Sequence, residues 1–93
     1  MIVSEAGRLV ITVPMVMDNA RGLLDAGRRL LQPGEQVFDF SRIAVADSSA
    51  VAVMLGWLRA ADQSRSTLTF AEIPSGVRSL AELYGVTDLL PLV

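Results

Sequence analysis

The sequence predicts a single α/β domain, a four-stranded mixed β-sheet with its helices packed mainly on one face. Three observations lead to it. Short segments rich in β-branched and aromatic residues alternate with longer segments of helical period. A strand–helix–strand–helix order calls for parallel strands joined by right-handed crossovers. The 93 residues are one domain's worth, and no linker, repeat or low-complexity tract divides residues 1–93.

The opening reads as a hairpin. Ile2 and Val3 form a short apolar pair, Glu5-Ala6-Gly7 a turn, and Leu9 to Val13 a β-branched run ended by Pro14, which cannot donate to a sheet ladder. Asp18 or Asn19 is expected to cap a helix running to about Leu31, with Arg28 and Arg29 favourable near its C-terminus and Pro33-Gly34 stopping it. Val37 to Phe40 is the next strand, apolar enough for a central position. Asp47-Ser48-Ser49 opens a second helix to about Gln63. Thr67 to Ala71 alternates like a strand, and Pro74 opens a third helix to about Tyr84 with Gly85 as its left-handed C-cap. Thr87 caps a last turn through Leu90, closed by Pro91.

Composition excludes several kinds of chemistry. The chain has neither cysteine nor histidine. Disulfides, thiolate catalysis, Ser-His or Cys-His pairs, and the commonest zinc ligand and general base are therefore absent. No dense acidic loop suggests a metal, and the seven glycines stand singly, with no phosphate-binding loop, so no cofactor is expected. A net charge of -2 with scattered arginines argues against nucleic acid. The uncharged run Ser48 to Leu58 is much shorter than the roughly 20 residues of a membrane span. The N-terminus lacks a signal peptide's charged and apolar regions. A cytoplasmic, non-enzymatic protein is expected. The 52 % hydrophobic content slightly exceeds what a small core needs, so some apolar surface is expected to meet a partner protein.

Two features stand out as a candidate site. Asp47, Ser48 and Ser49 put polar side chains at a helix start, where free backbone N–H groups and a partial positive charge favour an anion, such as a phosphate on Ser48. The simpler reading makes all three ordinary caps. The helix that follows is apolar over an arc of roughly 200°, about twice the stripe needed to lie on a core. The half of the arc centred on Val53 and Trp57 must pack on a neighbouring helix or on a partner, and Trp57 is the only tryptophan, a residue type common at interface centres.

Phe38-Asp39-Phe40-Ser41-Arg42 followed by Asp47-Ser48-Ser49-Ala50-Val51 resembles the central signature of STAS domains. The tail, from Leu68-Thr69-Phe70 through Leu83-Tyr84-Gly85-Val86 to Leu89-Leu90-Pro91, is similar to the family's C-terminal half. The resemblance covers about Val37 to Val93. Pro14 to Met17 departs from the usual family step, and Ala50 stands where the anti-sigma factor antagonists usually carry glycine. It implies a binding module, most like the MlaB-type subunit of the Mla phospholipid-transport ABC system. That role makes the partner an ABC transporter ATPase (MlaF-like) within a permease complex that maintains outer-membrane lipid asymmetry. The domain would then lie peripheral to the inner membrane through this partner, with Asp47, Ser48 and Ser49 at the contact and Val53 and Trp57 facing it. The other role the resemblance implies is an anti-sigma factor antagonist, switched when a partner serine kinase phosphorylates Ser48.

Overall fold

A computed structural model describes all residues from Met1 to Val93. Strands β1 (Ile2–Glu5) and β2 (Arg8–Ile11) are followed by helix α1 (Met17–Leu30), β3 (Gly34–Asp39), α2 (Ser49–Gln63), β4 (Ser66–Ala71), α3 (Ser75–Leu83) and a 3-10 turn at Thr87–Leu89. The sheet order is β1-β2-β3-β4, with β1 antiparallel to β2 and the other pairs parallel. Ala6 and Gly7, both at positive φ, make the two-residue turn of the hairpin. Because β2, β3 and β4 lie side by side in chain order, both right-handed crossovers place their helices on the same face. The expected α/β class and four-stranded mixed sheet are therefore what the chain forms.

Element boundaries differ in instructive ways. Strand β3 begins at Gly34, three residues before the apolar run, because Gly34 N donates to Arg65 O and the polar Gln36 has its own work. The Gln36 side chain donates to Leu30 O at the end of α1 and accepts from Gln32 N and from the Ser66 hydroxyl. One amide thereby joins α1, β3 and β4. Helix α3 ends as expected at Gly85, whose φ is +69°. Gly85 N bonds Glu82 O and Val86 N bonds Ala81 O, the paired bonds of a Schellman motif. The chain then returns along β4, where Phe70 N donates to Pro91 O and Val93 N to Phe70 O, so the tail covers part of that sheet edge.

The core lies between the sheet and the helices and is built around Trp57. Its ring meets Phe38 edge-on at 4.6 Å and Phe40 at 6.4 Å, and it tilts against Phe70, also at 6.4 Å. Every aromatic residue except Tyr84 belongs to this cluster. Such pairs contribute about 0.5–1.5 kcal/mol each beyond the area they bury. The indole also needs a hydrogen-bond acceptor in the core, and α1 supplies it. Trp57 Nε1 donates to Leu23 O at 3.2 Å and to Leu24 O at 3.3 Å.

That approach is possible only because α1 has a glycine opposite the ring. A Cβ on Gly27 would stand 2.2 Å from Trp57 Nε1 and 2.5 Å from its Cε2, while one on Gly56 would stand 2.7 Å from Leu24 Cδ1. Gly27 thus sets the spacing of α1 against α2, and Gly56 leaves room for the end of the Leu24 side chain. Helix propensity alone favours alanine over glycine by about 1 kcal/mol. Gly27→Ala is nevertheless expected to destabilise the domain by about 2–3 kcal/mol through overpacking. Urea denaturation followed by far-ultraviolet circular dichroism measures this, and equal or greater stability would show that the interlock is loose.

Candidate functional site

The three helices begin at the edge of the sheet where the parallel strands end, the edge at which open α/β sheets bind ligands and partners. Asp47 organises it. The segments leading into α1 and α2 run parallel and are zipped together: Met15 N donates to Val45 O and Asp47 N to Met15 O. Asp47 is thereby held between the two helix starts. Its Oδ1 accepts from the backbone N–H of Ser49 at 2.9 Å and also from the Ser49 hydroxyl. Its Oδ2 accepts from the backbone N–H of Met17, the first residue of α1, at 3.0 Å.

One carboxylate therefore caps two helices. This corrects the expected start of α1: neither Asp18 nor Asn19 is the cap. The flanking residue is Val16, which has no acceptor side chain, so the acceptor is provided across the fold by Asp47. The Asn19 side chain instead donates to Pro14 O and closes the preceding loop. Sequence spacing carries no signal for this contact, because the two partners are 30 residues apart.

The two serines are not equivalent. Ser49 opens α2 and its hydroxyl is committed to Asp47. Ser48 flanks the helix, is exposed, and its hydroxyl makes no hydrogen bond within the protein. Two exposed apolar side chains accompany it on the segments held by Asp47: Met17, 74 % exposed, and Val45, 57 % exposed. A free hydroxyl thus shares an exposed edge with apolar side chains at the positive end of two helices.

Val53 and Trp57 do not belong to this surface. They are 4 % and 0 % exposed, so the expectation that they face a partner is corrected. The second half of the α2 apolar arc packs on α1, and Trp57 is buried between α1 and the three phenylalanines. Asp47, Ser48 and Ser49 are brought together, while the two residues of the helix flank are core. No group of three or more acidic side chains converges to hold a metal ion. No helix is long and apolar enough to cross a membrane.

A family model described as "Mlab, STAS domain" matches residues 2–91. The chain belongs to the STAS domain family. Solved structures agree with that fold. An anti-sigma factor antagonist assigned in Thermotoga maritima shares 10 % identity, with a TM-score of 0.74 over 99 % of this chain and 83 % of its own. A STAS domain protein from Planctomyces limnophilus shares 14 % identity, with a TM-score of 0.71 over 99 % and 86 % of the two chains. The anti-sigma factor antagonist SpoIIAA in its unphosphorylated form shares 14 % identity, with a TM-score of 0.70 over 100 % and 86 %. No curated protein matches the chain.

The electrostatics of this STAS domain's site follow from its donors. The Ser49 hydroxyl, then the Met17 and Ser49 backbone N–H groups, favour the ionised carboxylate and hold Asp47 below its ordinary value of 3.8. Asp39, at the end of β3, is held below the same value by Ser41 hydroxyl and N–H groups and by Arg8, against the opposing effect of burial. A lowered carboxyl pKa means that the folded state binds fewer protons than the unfolded state. The stability it contributes is full above the unfolded value and is lost as pH falls through the folded one. The domain is therefore expected to lose stability below about pH 4. In Asp47→Ala the urea midpoint at pH 7 should drop, and the remaining acid-dependent loss should be shallower. Parallel urea titrations at pH 7, 4 and 3 check both, and an unchanged acid slope would remove Asp47 from the linkage.

Proposed function

We infer that this STAS domain is a non-catalytic cytoplasmic subunit that docks, through the Asp47–Ser48–Ser49 edge, on the ATPase of an inner-membrane phospholipid-transport (Mla) ABC complex. Its match to the Mlab family model over residues 2–91 supports the transport setting. The observation that carries the docking site is the free Ser48 hydroxyl on an exposed edge also bearing Met17 and Val45. Asp47 prepays the ordering of this edge by holding both helix starts before a partner arrives. The partner hydrolyses ATP, and this domain stabilises the partner's working form by binding it.

The same free hydroxyl favours a second reading, an anti-sigma factor antagonist in which a partner serine kinase phosphorylates Ser48. A phosphate there would sit at a helix N-terminus and add about 1.5–2 negative charges to the surface formed with Met17 and Val45. In both readings Ser48 faces the partner, whereas Ser49 holds Asp47.

Ser48→Glu is expected to weaken docking on the purified ATPase at least tenfold, about 1.4 kcal/mol, with the thermal midpoint unchanged. Val45→Glu should do the same. Surface plasmon resonance against a purified Mla-type ABC ATPase from the same organism, with circular dichroism as the folding control, measures both effects. Unaltered affinity in both variants would eliminate the edge as the contact. An absence of ATPase binding, with phosphate on Ser48 and capture of a serine kinase, would decide for the sigma-regulator reading.

A further inference from the structure

A second surface begins beside the Ser48 edge, at Ser49, and runs away from it along α2. Along the seam between α1 and α2 three adjoining concavities form one groove, and Arg28 lines all three. Arg21 lines its first part, Arg59 its middle and Arg29 its far part, so half of the eight arginines border one groove on a chain whose net charge is -2. Neither ion pair of the protein involves them; those are Arg8–Asp39 and Arg42–Glu5. None of the four donates a side-chain hydrogen bond within the protein, and the one acidic residue in the groove is Asp25.

The shape of the groove comes from its α2 wall. Ala52, Gly56 and Ala60 repeat every fourth residue and leave a ridge of α2 missing, and Leu24 leans over Gly56 to give the floor an apolar centre. A missing i±4 ridge between two helices is a seat for the ridge of a third. From Ser49 to Gln63 the groove follows about 20 Å of helix, close to four turns. Arg21 and Arg28, seven residues apart on α1, stand about 10 Å from one another along its axis, the spacing of two side chains at i and i+7 on an incoming helix.

We propose that the α1–α2 groove is a docking trough for an acidic amphipathic helix of a partner protein. Glutamates or aspartates two turns apart pair with Arg21 and Arg28 on one side. A further carboxylate reaches Arg59 on the other, and small or apolar residues of the same helix settle over Leu24, Gly56 and Ala60. Bidentate arginine–carboxylate geometry gives register as well as affinity. A membrane surface suits this face less well, because the arginines border a concave seam and none of the exposed large apolar side chains lines it. The groove's arginines take no part in the Ser48 edge, so either surface can bind a partner without the other.

The test is selection without a presumed sequence. A displayed library of random 20-residue peptides is panned on the full chain, and enriched peptides are measured by fluorescence polarisation against the wild type, Arg28→Glu, Arg59→Glu and the off-groove control Arg65→Glu, all checked for folding by circular dichroism. Expected are net-acidic peptides with carboxylates at i and i+7, weakened at least tenfold by Arg28→Glu and by Arg59→Glu and less than twofold by Arg65→Glu. Enrichment of neutral or basic peptides, equal losses in all three variants, or no enrichment would overturn the proposal. So would Arg28-dependent binding confined to vesicles of phosphatidylglycerol and phosphatidylethanolamine, which would assign the face to a lipid surface.

Discussion

The architecture depends on the contact between one indole and one glycine. Trp57 occupies the place where α1, α2 and the centre of the sheet meet, and it fits there because Gly27 presents no side chain. The indole N–H gains its acceptors from α1 carbonyls, so the ring's polar atom holds the helix that its apolar body packs beneath. A domain of this size buries a limited fraction of its chain. Concentrating four of its five aromatic rings at one point lets that fraction fix the positions of two helices and of the adjacent strands β3 and β4 together.

From that fixed spacing follows the geometry of the Asp47 edge. A carboxylate can cap two helices only if their first turns lie within a few ångströms of one another, and the α1–α2 packing brings them there. The charge of Asp47 is spent on the partial positive ends of α1 and α2, and the neighbouring Ser48 is left unengaged. Division of labour between adjacent residues of similar chemistry results: Ser49 maintains the scaffold and Ser48 is offered outward. Local pattern makes both serines look like caps. The fold separates them.

Much of the fold was legible because it rests on local rules. The alternation of β-branched and helical segments, the Ala6-Gly7 turn and the Gly85 cap each declare themselves within a few residues of sequence. The width of the apolar arc on α2 also carried true information: the helix is covered on two sides. What local reasoning could not say was what covers the second side, and the answer, α1, removes Val53 and Trp57 from the surface. The capping of α1 by Asp47 was illegible for the same reason, since donor and acceptor come from different loops. Gln36 was a third case, a polar side chain in a strand whose partners on α1 and β4 only the folded chain brings together. Glycines opposite large residues on a neighbouring helix could have served as a signal. Gly27 and Gly56 are both interior to helical segments, where glycine costs stability unless something needs the space.

The setting of the only tryptophan has a spectroscopic consequence. An indole with no solvent exposure, hydrogen-bonded to helix carbonyls and ringed by phenylalanines, emits at short wavelength and is shielded from aqueous quenchers such as iodide. The chain thus contains its own optical gauge of the α1–α2 seam, with no dye or engineered label. A ligand that rests on the outer surface leaves the emission where it is. One that separates the two helices moves it to the red, so the colour of a single residue distinguishes docking from remodelling.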